Sequence, residues 1–181
     1  MKLNKQIIVI SSVILITILT GIYIYKNNFS MEGRLESIAK LPLPDGWYPH
    51  KRGNNSVIFT QQKELPDIGN TEGYAYGKQI GIGTSKIDKS PEEWAAINMQ
   101  DDVLIISKTW DSIGGYKVLK AEQYTEADEI LAYYIFVDDR LYFAYLYPIE
   151  TYDSVNKKNA RDMENIKLFE QIVDDAIKVI K

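Results

Sequence analysis

The chain has no cysteine and a single histidine, His50. Without a thiol there is no disulfide, no S-acylation site, no cysteine nucleophile and no mixed His/Cys zinc site. Lacking Cys does not fix the redox compartment, because an exported domain can fold without bridges. One imidazole does not make a metal cluster or a triad by itself, and no serine sits in a G-x-S-x-G elbow. His50 falls in a short hairpin strand with no acidic neighbour beside it, so it reads as a hairpin residue and not as a general base.

An excess of basic charge is missing as well. The 181 residues carry 21 Lys and Arg against 25 Asp and Glu, a net charge of −4. Setting aside Lys2, Lys5 and Lys26, which flank an apolar run, the remainder carries about −7, which argues against a nucleic-acid partner or an anionic membrane surface for that part. The glycines of IGIGTS are followed by neither the lysine of a P-loop nor the third glycine of a dinucleotide site. Three acid pairs, Asp101-Asp102, Asp138-Asp139 and Asp174-Asp175, lack the spacing of an EF-hand loop. The middle pair reads as turn chemistry and the last as the wet side of a helix. No cofactor and no metal are expected.

What the chain does have is one long apolar run. Ile7 to Tyr25, IIVISSVILITILTGIYIY, holds nothing more polar than Ser11, Ser12, Thr17 and Thr20. As a helix it is roughly 28 Å long, close to the ~30 Å hydrocarbon core of a bilayer, and it satisfies its own backbone hydrogen bonds there. The sequence therefore predicts a single membrane span through Ile7 to Tyr25, with the lipid bilayer as its partner. Lys2, Lys5 and the amino terminus on one side, against Lys26 and, further off, Arg34 and Lys40 on the other, favour the N-terminus in the cytoplasm and the C-terminal domain outside. A cleaved signal peptide is the competing reading. It requires a shorter apolar core and small residues at the cut, whereas GIYIYKNN offers Gly21 and two interfacial tyrosines, Tyr23 and Tyr25. A pilin-type helix is set aside because no acid lies within the run.

Residues 1–26 thus form a leader and transmembrane anchor. Residues 27–40 read as a stalk in which Leu35 and Ile38 have helical spacing. Pro42, Pro44 and Asp45-Gly46 end that segment, so the folded domain is expected to span 41–181.

Within it, Gly46 to Arg52 and Ser56 to Gln61 flank Gly53-Asn54-Asn55 and predict a hairpin. Lys63 to Glu72, with Pro66 and Gly69, reads as an exposed loop. Tyr74 to Ile87 reads as a strand bent or bulged at its glycines. Ser90, Pro91 and Glu93 form a capping-box signature that starts a helix running to about Gln100, with Trp94, Ile97 and Met99 facing inward. Strands are expected at Val103 to Trp110 and Tyr116 to Tyr124, on either side of Gly114-Gly115. The richest stretch, ILAYYIFV-DD-RLYFAYLY, predicts a hairpin pairing Val137 with Arg140. That register places Ile130, Ala132, Tyr134, Phe136, Leu141, Phe143, Tyr145 and Tyr147 on one face, and Leu131, Tyr133, Ile135, Val137, Tyr142, Ala144 and Leu146 on the other. Both faces are apolar, so both call for a cover. The covers on offer are the helix at Pro91 and a C-terminal helix with Ile166, Phe169, Val173, Ala176, Ile177 and Ile180 in one stripe. The fold class expected is α+β: the transmembrane helix followed by an α/β/α sandwich on a mainly antiparallel sheet. Phe136, Phe143 and Ile135 should all be inaccessible.

The order of these elements, from GWYPHKRGNNSVIFTQQ through SPEEWAAIN and GGYKVLKAEQY to ILAYYIFVDDRLYFAYLYP and the closing helix, resembles the Mog1/PsbP-like family over Leu41 to Lys181. That family includes an extrinsic photosystem subunit, a nuclear-transport factor and small membrane-anchored bacterial proteins. The resemblance implies a non-enzymatic, partner-binding role and transfers no functional residue.

The functional expectation is a membrane-anchored extracytoplasmic module that binds an unknown protein partner or serves in assembly. The alternative is a binding protein for a cell-wall sugar or another small ligand, and a carboxylate-dependent hydrolase ranks third. Trp47, Tyr48, Tyr74, Tyr76 and Trp110 are aromatics with polar tips, the type found at protein and sugar contact surfaces, while the competing reading puts most of them in the core. Of these, Trp47 and Tyr48, together with His50, form the candidate contact surface, because they follow two prolines where the domain meets its stalk. The competing reading puts the Trp47 ring in the core.

Overall fold

The computed structural model describes residues 31–65, 77–100, 104–124, 129–149, 151–152, 157–158 and 160–180. The run Ile7 to Tyr25 lies outside them, as do Pro66, Gly69, Tyr74, Tyr76 and the Asp101-Asp102 pair. Among the described residues no helix is long and apolar enough to cross a membrane.

A helix, α1 (Met31–Ile38), precedes the hairpin β1 (Tyr48–Arg52) and β2 (Ser56–Thr60), then β3 (Gln79–Lys86) and a second helix, α2 (Pro91–Asn98). There follow β4 (Ile105–Ile113), β5 (Tyr116–Tyr124), β6 (Glu129–Val137), β7 (Arg140–Ile149), the two-residue strands β8 (Thr151–Tyr152) and β9 (Lys157–Lys158), and the long helix α3 (Ala160–Ile180). The fold is mixed α/β.

Strands β1 to β7 form one seven-stranded sheet in the order β1-β2-β3-β7-β6-β5-β4, with every neighbouring pair antiparallel. Two meanders, β1-β2-β3 and β4-β5-β6-β7, meet where β3 pairs with β7. The crossing from β3 to the far edge at β4 carries α2 over one face. The turns follow local chemistry: Gly53 in the first hairpin, Gly114 and Gly115 between β4 and β5, and Asp138 between β6 and β7 all have positive φ. Val137 opposite Arg140 sets the β6–β7 register, as the hydrophobic alternation predicts.

The two faces are covered unequally. One face, carrying Val57, Phe59, Ile80, Ile82, Leu131, Tyr133, Ile135, Tyr142, Ala144 and Leu146, is buried under α3 and α1 in a single core. The α3 stripe read from the sequence is in that core, Ile166 only at its margin, with Ile172 joining it. Leu35 and Ile38 of α1 are buried there too. Residues 31–40 are therefore part of the folded unit and not a stalk: two apolar side chains one turn apart find an apolar surface between α3 and the sheet. Arg34 reaches across to the Tyr142 hydroxyl at 3.4 Å, and Lys51 of β1 pairs with Glu36.

On the opposite face the cover is short. Eight residues of α2 span about 12 Å, while seven strands are about 29 Å wide, so a strip of this face stays open. Phe136 and Ile135 are buried as expected, but Phe143 is 36% exposed and Ile97 of α2 points outward at 56%. Among the apolar residues that face inward from the α2 segment, Met99 is buried with Leu119, Ala121, Phe136 and Leu141, and Trp94 packs against that cluster.

The glycines of β3 have a different cause from the one expected. The β2–β3 and β3–β7 registers run without a shift, so there is no bulge. Gly81 and Gly83 instead stand opposite Tyr145 and Phe143, and at Gly81 the missing side chain makes room for the Tyr145 ring, whereas a Cβ at Gly83 would meet the Phe143 ring at an ordinary contact distance of 3.4 Å.

Candidate functional site

The half-open face is a continuous row of rings. Tyr145 and Phe143 on β7 stack at 5.3 Å between centroids and 22° between planes, and Phe143 stacks on its cross-strand partner Tyr134 at 6.1 Å and again 22°. Trp94 of α2 lies on Tyr134 at 5.0 Å and meets Phe136 edge-on at 5.7 Å. Phe136 in turn lies 5.9 Å from Trp110 of β4, whose ring carries the Lys117 ammonium at 4.6 Å. Alternation along the strands produces the row: every second residue of β6 and β7 points to this side. Such ring pairs contribute about 0.5–1.5 kcal/mol each beyond the area they bury.

Helix α2 sits on the row without any fully buried residue of its own. Its start is held by the predicted capping box: Ser90 Oγ accepts from the Glu93 amide, and the Glu93 carboxylate accepts from the Ser90 amide at 2.9 Å. That backbone hydrogen bond, with the Ser90 hydroxyl next, holds the Glu93 carboxyl below the usual carboxylate range. At the other end Lys108 donates to the Met99 carbonyl at 2.9 Å, while in the first turn Glu92 pairs with Lys117. Polar clasps and one indole ring therefore seat this helix, with little apolar burial behind them.

A groove lies on each side of α2. One, about 460 Å³, is lined by Trp94, Tyr134, Leu141 and Phe143, with Asn55, Ser56 and Ser85 at its polar margin. The other, about 600 Å³, runs between α2 and β4 past Met99, Lys108, Trp110 and Leu119. Burial raises the Tyr134 hydroxyl pKa against the opposing pull of Gln123, to which it donates at 3.2 Å. The Tyr145 hydroxyl is raised by burial as well, with the Arg52 charge opposing. Both rings stay neutral at ordinary pH and offer hydroxyl groups.

The residues named from the sequence are split by the sheet. Trp47 is 8% exposed and belongs to the core under α1 and α3, so its ring offers no contact surface. The alternation of β1 turns Tyr48 and His50 to the other side, level with Thr60 and Ile58, and both are half-buried. The His50 Nε2–H donates to the Gln62 carbonyl at 2.9 Å, which ties the imidazole to the backbone of its own hairpin. Trp110, one of the aromatics noted in the sequence, is 40% exposed at the end of the row. Phe143, read from the sequence as inaccessible, and Trp94, read as inward-facing, are only partly covered, as is Tyr134, and the length of the SPEEW helix against the width of the sheet is the signal for it. Among the described residues no group of three or more His, Asp or Glu could hold a metal ion.

Comparison with known proteins adds little. No protein-family model and no curated protein sequence matches the chain. Among solved structures, a crystal structure of PA94, a Pseudomonas aeruginosa protein of unknown function, is similar at 14% identity and a TM-score of 0.42, over 74% of this chain and 87% of that one.

Proposed function

We propose that this protein is a single-pass, membrane-anchored module whose C-terminal domain lies outside the cytoplasm and binds a protein partner without catalysing a reaction. The observation that carries the binding reading is the row Tyr145-Phe143-Tyr134-Trp94-Phe136-Trp110, left half-open beside a loosely seated helix. Clustered Trp and Tyr anchors are characteristic of binding hot spots. Anchoring rests on the apolar run Ile7 to Tyr25 and its flanking lysines, and orientation on the same charges. The domain that follows is an α/β/α sandwich with one thick and one thin helical layer, in keeping with the resemblance to the Mog1/PsbP-like family. In this reading the folded unit starts at α1 and not at Leu41.

The test is interaction capture from membranes with the full chain as bait. Phe143→Asp should release a partner that wild type holds, while Glu164→Lys on the exposed side of α3 should retain it. Equal capture by all three moves the contact surface elsewhere. Protease digestion of intact spheroplasts checks orientation, since a tag after Lys181 should be cut without permeabilisation.

A second reading has its own observation: the smaller groove combines three rings with Asn55, Ser56 and Ser85, a lining suited to a neutral sugar. Quenching of tryptophan fluorescence by soluble glycan fragments, lost in Tyr134→Ala, would favour it over the protein-partner reading.

A further inference from the structure

The two edges of the sheet are finished differently. β1 is five residues long, carries Pro49, which has no N–H to offer, and is tied to α1 through Lys51 and Glu36. β4 is nine residues long and contains no proline, and its side chains are exposed over nearly its whole length. Among the described residues nothing pairs with its outer edge. Its one lysine, Lys108, is bent back to the Met99 carbonyl and so is not projected outward as a guard. Two of its four apolar residues keep substantial exposure, Trp110 at 40% and Ile106 at 37%, while Ile105 and Ile113 at its ends pack partly against the cores. A register shift between Ile105 and Ser107 blunts one end, which leaves Ser107 to Ile113 regular.

We infer that this edge is a homodimerisation site: a second copy of the chain pairs antiparallel with β4 in the register that places Trp110 opposite its own counterpart. A two-fold axis perpendicular to the sheet joins two such edges and brings each residue level with one on the same face. Charge and the length of the regular segment together choose the register. Centring on Lys108 would oppose two ammonium groups, and centring on Asp111 two carboxylates, both destabilising. Centring on Trp110 uses the whole regular segment. It sets Lys108 level with Ser112, Thr109 with Asp111, and Ser107 with Ile113, with no like charges opposed. It also joins the two Trp110 rings, so the aromatic rows of both copies become one across a continuous sheet. A sheet edge extended by a strand of another chain is β-augmentation. This inference concerns the edge and does not depend on the open face having a partner.

The absence of cysteine makes the test direct. Single cysteines placed in turn from Ser107 to Ile113 of the full chain, in membranes, should yield disulfide-linked dimers under mild oxidation. The yield should peak at Trp110→Cys, because opposed residues of an antiparallel pair lie within disulfide reach. Mixed Thr109→Cys and Asp111→Cys chains should cross-link to each other better than either does to itself. Lys167→Cys on α3 should not cross-link. Equal yields at Lys167 and along β4 would mean association through another part of the chain and would overturn the proposal, as would a peak at position 109. Without engineered cysteine, sedimentation of the detergent-solubilised chain should show dimer increasing with concentration. Trp110→Lys should remove the dimer with an unchanged circular dichroism spectrum. A wild type that stays monomeric throughout, or a Trp110→Lys chain as dimeric as wild type, also overturns it.

Discussion

The ring of Tyr145 lies across Gly81, its partner on the neighbouring strand, so closely that a Cβ at Gly81 would stand 2.2 Å from the ring carbon Cε1. Carbon atoms do not approach to that distance without displacement. Tyr145 is also stacked on Phe143, so it cannot yield without disturbing the row. Gly81→Ala should therefore destabilise the domain by about 1–3 kcal/mol, the range of overpacking. In a Tyr145→Ala background the same substitution should be close to neutral. Urea unfolding of the four members of the cycle measures the coupling, and strictly additive effects would mean that the ring is not held where it lies.

The unequal cover of the sheet predicts unequal costs for two phenylalanines on one face. Phe136, buried beneath Trp94 and Trp110, should lose about 3–5 kcal/mol on truncation to alanine. Phe143, open on one side, should lose clearly less. Denaturation midpoints decide, and equal losses would require something to cover Phe143 in solution.

Helix α1 belongs to the core, so a fragment beginning at Leu41 should be less stable than one beginning at Met31. Leu35 and Ile38 are both buried, and each contributes on the order of 2–5 kcal/mol by the measure of aliphatic truncation. If the two fragments unfold at the same denaturant concentration, the helix is a stalk after all.

Alkaline pH should weaken the fold through Tyr133. Burial, followed by the nearby Glu170 carboxylate, raises its hydroxyl pKa above the ordinary value of 10.0. The hydroxyl donates to Glu170 at 3.1 Å. Above about pH 10 the unfolded chain gives up this proton while the folded chain keeps it, so stability is complete below that pH and declines as pH rises further. Tyr133→Phe should flatten the decline, measured as the change in unfolding midpoint between neutral and alkaline buffer. An unchanged slope would assign it to Tyr134 and Tyr145, which burial raises in the same direction.

Neighbours along the chain were enough to specify part of this architecture. Alternation placed Tyr133, Tyr142 and Leu146 on one side of β6 and β7 and Tyr134 and Phe143 on the other, since the strand period is two. Ser90, Pro91 and Glu93 marked the start of α2 because a helix end must satisfy its own free amides. The Ile166 to Ile180 stripe gave α3 its buried side, and the lack of thiols and of all but one imidazole excluded whole classes of chemistry. Which surfaces stayed open depended on contacts between distant segments. Trp47 and Tyr48 are adjacent in sequence, yet they lie on opposite sides of the sheet, one closed over by α1 and α3 and the other left half-covered. The same uncertainty attached to Gly81, whose purpose depends on Tyr145, a residue far away in the chain and brought alongside only when β3 pairs with β7. Periodicity tells a side chain which way to point. What it then meets depends on the length of the covering helix and the order of the strands, and both come from contacts between distant segments.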